Sequence, residues 1–114
     1  MIARIWRTQV DLTRLDEYEH FAQEQSLPMF RRQRGFLGVF FLREHQNCLV
    51  LSLWEDKTAV ETLATSATYQ ATVRQLQATG LLLGHSLVEL FEVSGSMLLP
   101  TVLSHREQQS GSAS

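Results

Sequence analysis

The sequence has little cysteine and no long apolar run, and both absences limit what the chain can be. It contains one cysteine, Cys48, in 114 residues, and a single cysteine cannot form an intramolecular disulfide. No apolar run reaches the roughly 18 residues of a membrane span, and the N-terminus lacks a charged stretch followed by an apolar core and a cleavage site. We therefore predict a cytoplasmic protein with no membrane association, in which Cys48 is a small buried hydrophobe.

Lysine is almost absent as well. The chain has nine arginines, one lysine and a net charge of -2. Arg31, Arg32 and Arg34 form the only dense basic cluster, which suits a solvated helix end. Because the whole chain is acidic, we predict no binding to nucleic acid.

The common catalytic and metal-binding motifs are missing too. The sequence has no glycine-rich phosphate loop, no G-x-S-x-G elbow and no HExxH. Its four histidines lie far apart, and none stands at metal-ligand spacing from Cys48 or from another histidine. The sequence therefore predicts no metal and no cofactor. 

Two segments stand out because they are apolar on both faces. Leu37–Leu42 has five apolar residues in six, and Cys48–Trp54 has six in seven. Successive side chains of a strand point to opposite faces, so both faces of this sheet need cover. The helical pattern is sufficient for one face only. A second chain, a ligand or both must cover the other.

β-Branched, aromatic and apolar runs predict four strands at Ile2–Gln9, Leu37–His45, Cys48–Glu55 and Ser86–Val93. A helix follows the first strand and, because Pro28 lacks an N–H, kinks or restarts near Ser26. A helical region follows the third strand, either as one kinked helix or as two short ones. Leu81–Leu83 is expected to form an apolar turn. This βαββαβ order predicts an α+β, ferredoxin-like fold with a four-stranded antiparallel sheet and its helices on one side.

The sequence Ser94-Gly95-Ser96 predicts a boundary between a domain at 1–94 and a tail at 95–114. Within this tail, Met97–Leu103 is too apolar for a pure linker. It is either a weakly ordered tail or an arm that packs on a partner subunit.

Four amphipathic aromatic residues are candidates for a binding pocket. Trp6 shares a strand face with Arg4, Trp54 ends the third strand, and Tyr18 and Tyr69 lie on apolar helix faces. Several such side chains in one cleft would make an apolar pocket with a few polar groups. For each of them, ordinary core packing is the competing interpretation.

The segments MIARIWRT, GFLGVFFLRE, LSLWED and VELFEV together resemble the antibiotic biosynthesis monooxygenase (ABM) domain family over Met1 to Ser94. The resemblance implies a homodimer in which two four-stranded sheets close into an α/β barrel, which would cover the second sheet face. The family includes cofactor-free oxygenases of phenols and quinols, and haem-degrading enzymes.

Single positions separate these activities. Haem-degrading members resemble one another in an Asn, a Trp and a His, and this chain has Trp6, Leu63 and Val73 at those places, so the resemblance does not extend to haem degradation. The polyketide oxygenases of the family carry a Trp and, six residues later, a Tyr. Here the first is Leu63 and the second is present as Tyr69.

We therefore expect a cofactor-independent monooxygenase of a small aromatic or quinol-like compound. The candidate catalytic residues are Tyr69 for hydrogen bonding or proton handling, and His20 and His85 as bases on titration range. The candidate substrate-binding residues are Arg4 as an anion partner, Trp6 as a pocket wall, and Tyr18, Trp54, Leu63 and Val73. The alternative is a non-catalytic homodimer that binds a small molecule or serves a structural role.

Overall fold

A computed structural model describes residues 1–100 of the chain. Its helices and strands, in chain order, are β1 (Ile2–Val10), α1 (Leu15–Phe21), α2 (Leu27–Arg31), β2 (Phe36–Glu44), β3 (Asn47–Trp54), α3 (Lys57–Thr65), α4 (Ala67–Ala78) and β4 (Leu82–Glu92). The strands form one antiparallel sheet in the order β2-β3-β1-β4. The predicted α+β, ferredoxin-like fold is confirmed.

The first helical segment is built from three pieces. The Asp11 carboxylate accepts a hydrogen bond from the Thr13 N–H and starts a 3₁₀ turn that leads into α1. After α1, the N–H of Leu27 bonds to the carbonyl of Ala22, five residues back, so the helix widens into a π turn over Ala22–Ser26. Pro28 then lies in the first turn of α2, where its missing N–H is tolerated. The irregularity predicted near Ser26 is confirmed as this wide turn.

The second helical region consists of two helices, so the two-helix alternative is the right one. Asp56 caps α3 by accepting from the N–H of Ala59 at 2.9 Å. Ser66 has an extended backbone, which ends α3, and its hydroxyl accepts from the N–H of Tyr69 at 3.3 Å. The cap at Ser66 therefore places Tyr69 in the first turn of α4.

One face of the sheet packs against the helices, and its side chains on β1 and β3 are buried or half-buried. On the edge strand β4, Val88 and Leu90 lie on the same face and are 50% and 47% exposed. Val10 on β1, and Cys48, Ser52 and Trp54 on β3, lie on this face. Two clusters of buried side chains join it to the helices, one around Trp54 and Leu63 and the other around Val10 and Cys48.

The opposite face, which we call the open sheet face, carries many apolar side chains with no helix over them. They include Ile5, Phe40, Leu42, Leu49, Leu51, Leu53, Leu83, Leu87 and Phe91. Those of β3 are half-buried, whereas Leu87 on the edge strand β4 is 64% exposed. The doubly apolar strands read from the sequence thus leave one apolar face in contact with solvent.

Two turns differ from their predicted positions. Strand β4 begins at Leu82, so the predicted turn over Leu81–Leu83 was wrong for two of its three residues. The break in the pattern lies instead at a bulge, where the β1–β4 register shifts and Gly84 has φ +71°. The turn between β2 and β3 lies at His45 and Gln46, one residue earlier than the gap between the strands predicted to end at His45 and begin at Cys48, and His45 has φ +53°.

Beyond β4, the chain has no regular structure from Val93 to Leu99, and Met97 to Leu99 are exposed. The boundary between residues 94 and 95 stays a prediction. The remainder of the predicted tail, including the end of the Met97–Leu103 segment, lies outside the described residues. No helix within residues 1–100 has the length and apolar character to cross a membrane.

Candidate functional site

A cavity of about 100 Å³ lies between the helix-covered sheet face and helices α1, α2 and α4. A site for one water needs roughly 10–15 Å³ on the same measure, so this cavity has room for a small organic ligand. Most of its lining is apolar or aromatic, and one side is open. Its polar side chains are Arg4, Ser26, Thr72, Gln77 and Ser86, and Trp6, Tyr18 and Tyr69 each add an aromatic ring with a hydrogen-bonding group.

The π turn over Ala22–Ser26 forms part of the cavity wall. Ala22 and Ser26, at its two ends, both line the cavity, and both have small side chains. The wide turn therefore brings backbone to the cavity without filling it. Such turns are frequent at functional sites in proteins.

The central polar feature of the cavity is a contact between Arg4 and Tyr69. The Nη2 of Arg4 donates a hydrogen bond to the Oη of Tyr69 at 2.7 Å, and the guanidinium carbon lies 5.3 Å from the centre of the tyrosine ring. The Tyr69 oxygen is thus an acceptor toward Arg4. Because its own O–H proton must point elsewhere, this hydroxyl is free to donate to a ligand.

Arg4 carries a buried positive charge that has no acidic partner among residues 1–100. Its residue is 8% exposed. Within residues 1–100, the ion pairs involve other arginines, namely Arg7–Glu89, Arg14–Glu17 and Arg43–Glu19. A guanidinium is always protonated in proteins, and burying an unpaired charge is unfavourable. The cavity therefore has a positive wall that suits an anionic group.

Two further aromatic residues predicted for the pocket, Trp6 on β1 and Tyr18 on α1, also line the cavity. Trp6 is half-buried and contacts both core clusters. Tyr18 is buried, and burial raises the pKa of its phenol well above the usual range, with smaller contributions from Cys48 and Glu19. Tyr18 therefore stays a neutral hydroxyl at physiological pH.

No family profile and no curated protein matches the sequence of this chain. Solved structures do match its fold. SnoaB, a cofactor-independent oxygenase from Streptomyces nogalater, is 21% identical, with a TM-score of 0.67 over 84% of this chain and 95% of SnoaB. A structure described as an antibiotic biosynthesis monooxygenase is 13% identical, with a TM-score of 0.67 over 83% of this chain and all of its own. The chain has the fold of the antibiotic biosynthesis monooxygenases.

The same ABM fold occurs without an assigned activity. A protein of unknown function from Nitrosomonas europaea is 17% identical, with a TM-score of 0.70 over 86% of this chain and 93% of its own length. At these identities the likeness concerns the fold, so the chemistry of this chain has to be argued from its own cavity.

Two of the predicted site residues lie behind the cavity wall of this ABM fold. Trp54 is fully buried, and its Nε1 donates to the Oγ of Ser52 at 2.8 Å. Its ring contacts Phe30 and Phe36, with centroids 6.2 and 5.5 Å away. Leu63 is 1% exposed in the same cluster. Both residues pack the core, and neither lines the cavity. Val73, by contrast, does.

The two histidines predicted as bases are also elsewhere. His20 is exposed on α1 and lines a separate depression together with Glu17 and Glu24. His85 is exposed beside the bulge of β4. In the part of the chain that the structure describes, the cavity lining includes no Asp, Glu or His, and no three such side chains or cysteines are grouped as metal ligands.

Several lining residues of α4 were not predicted from the sequence. Thr72, Leu76 and Gln77 follow Tyr69 by three, seven and eight positions and line the cavity with it. Residues at these spacings share one helix face. Once Tyr69 was a candidate, helical spacing alone could have found them. 

Proposed function

We propose that this protein is a cofactor-independent monooxygenase that acts on a small aromatic or quinol-like compound in the Arg4–Tyr69 cavity. The observation that carries the proposal is the aromatic-walled cavity with a buried arginine and a tyrosine hydroxyl aimed into it. The shared fold with SnoaB, which is described as a cofactor-independent oxygenase, supports the same reaction class.

The reaction needs no further reductant. When a ring C–H of a phenol becomes a C=O, the substrate and one dioxygen yield a quinone and one water. One oxygen atom enters the ring, and the other leaves with the two hydrogens lost from the substrate. The electrons come from the substrate itself, which is most reactive as its anion. The protein then has to bind the ring, favour the anion and limit access of water.

Each residue of the cavity has a part in this scheme. Arg4 stabilises the anionic oxygen of the substrate, which lowers the pKa of the bound phenol. Tyr69 donates a hydrogen bond from its O–H to the same anion or to reduced dioxygen. Because no Asp, Glu or His lines the cavity within residues 1–100, the substrate proton leaves to water at the open side.

Oxygen consumption with a panel of quinols and polycyclic phenols tests this function. Uptake is expected without added cofactor, and Tyr69→Phe is expected to lower the rate roughly a hundredfold. Its thermal stability should change little, since one hydrogen bond contributes about 0.5 to 1.5 kcal/mol. Arg74→Gln, exposed on the same helix, is the control. A Tyr69→Phe enzyme as fast as wild type would remove Tyr69 from the mechanism.

A second candidate function is a non-catalytic module that binds an aromatic ligand. The observation in its favour is the lining itself, which offers no carboxylate or imidazole as a base within the described residues. Tight binding of a panel compound with no oxygen uptake would favour this function over the first.

We further propose that the protein is a homodimer that pairs two open sheet faces. In a single chain, Leu42, Leu87 and Phe91 on the open sheet face are between 44% and 64% exposed. Contiguous apolar surface of this kind is typical of protein interfaces. Closing two such sheets on each other would bury the face that the helices do not cover.

A further inference from the structure

The unpaired charge of Arg4 indicates which kind of ligand the cavity binds, independently of any reaction. Arg4 is buried, uses one donor on Tyr69, and has no carboxylate within 4 Å among residues 1–100. We propose that the cavity selects an aromatic acid, whose carboxylate pairs with Arg4 while its ring lies against the aromatic wall. This inference rests on the proposed function only in taking the cavity as the substrate site.

A neutral phenol supplies no negative charge to pair with the Arg4 guanidinium. In solution, a phenol with a pKa near 10 is ionised to about one part in a thousand at pH 7, so it enters the cavity as a neutral molecule and brings no charge to pair with the guanidinium. A carboxylate is fully ionised at the same pH. The permanent cation therefore favours a ligand that is an anion when it enters.

The remaining hydrogen-bond donors fit this group. A guanidinium has five N–H donors in one plane, and two parallel ones match the two oxygens of a carboxylate. One of the five is engaged by Tyr69, and no other side-chain acceptor among residues 1–100 contacts this guanidinium. The Tyr69 O–H adds one donor beside the arginine. A hydroxyl next to the carboxylate on the ring would lie within reach of it, so an ortho-hydroxy aromatic acid uses the whole pair.

The walls of the cavity fit the rest of such a ligand. Trp6, Phe21 and Phe30 line it, and Val50 and Val73 add aliphatic surface. Flat rings pack well against aromatic side chains. The apolar wall therefore accepts many flat rings, and Arg4 selects among them for a negative charge.

Calorimetric titration with two matched probes tests this assignment. The probes are 1-hydroxy-2-naphthoate and its neutral analogue 1-hydroxy-2-naphthamide, which differ only in the charged group. The wild-type protein is expected to bind the acid at least tenfold more tightly than the amide at pH 7. Arg4→Gln is expected to abolish this preference while leaving the dissociation constant of the amide within about threefold, as expected for loss of one charged contact.

The matched control is Arg7→Gln. Arg7 lies on the same strand but on the open sheet face, where it pairs with Glu89, so this variant is expected to keep the preference for the acid. Equal binding of both probes by wild type, no binding of either, or an unchanged preference in Arg4→Gln would each overturn the proposal. The titration measures binding and not turnover. A preference for the acid in the titration, together with no oxygen uptake in the panel assay, would count against the oxygenase function and leave this inference standing.

Discussion

The open sheet face leads to a prediction about assembly, in which Leu87→Asp should separate the dimer without unfolding the chain. Leu87 lies on the edge strand β4, opposite Arg7 of β1, and is 64% exposed in a single chain. An exposed site away from the core contributes within about 0.5 kcal/mol to the stability of the monomer. The substitution therefore acts on association.

The expected size of the effect follows from burial. About 1 kcal/mol of apolar burial is lost when the exposed part of one leucine is no longer covered, and an unpaired carboxylate in an interface adds about 2 to 4 kcal/mol. A two-fold interface contains the change twice. The sum of about 6 to 10 kcal/mol weakens the dimer by about 10⁴- to 10⁷-fold.

Light scattering on a sizing column measures this directly. Wild type is expected at twice the chain mass of 13.0 kDa, and Leu87→Asp at the mass of one chain with an unchanged far-ultraviolet circular dichroism spectrum. Leu12→Asp is the matched control, because Leu12 is 49% exposed but lies in the turn before α1 and not on the sheet. A monomeric wild type, or a Leu87→Asp protein that stays dimeric, would refute the reasoning.

Two further predictions concern stability. Gly35→Ala should lower the free energy of unfolding by about 2 to 4 kcal/mol, because Gly35 has φ +79° and its new Cβ would lie 2.5 Å from the Cβ of Ala59. Gly84→Ala is the control and should cost only about 1 kcal/mol, because Gly84 has φ +71° but open space around it. Urea titrations measure both losses, and equal losses would contradict this prediction. Tyr18→Phe should flatten the alkaline loss of stability: burial raises the pKa of Tyr18 in the folded state, so its contribution is complete below the unfolded pKa of about 10 and is lost as the pH rises from there toward the folded pKa. Thermal melts above and below pH 10 compare the two proteins, and parallel curves would show that Tyr18 does not titrate differently on folding.

The sequence was sufficient for the fold because its signals are local. Apolar character on both faces marked β2 and β3, and Pro28 marked the irregular helix. The positions of single side chains depend on contacts across the fold. Trp54 was a pocket candidate because a buried indole N–H needs an acceptor, but Ser52, on the same face of the same strand, supplies one inside the core.

The histidines show the complementary difficulty. His20 and His85 were candidates on titration range, a property of the residue type, whereas a base has to lie within reach of the substrate. His20 is on the outer side of α1, and the bulge at Gly84 precedes His85 on an exposed edge. Neither position could be derived without the register of β1 against β4 and the direction in which α1 packs.

Arg4 is where the local pattern and the burial disagree, and that disagreement locates the site. Along β1, the residues that face the helices are Ile2, Arg4, Trp6, Thr8 and Val10. An apolar side chain of similar size would fill the position of Arg4 without a buried charge, and such replacements are often neutral or stabilising. Sequences that fold well break a local rule mainly where function requires it. A cation held against a tyrosine hydroxyl, at the wall of a cavity with room for a ligand, is such a place.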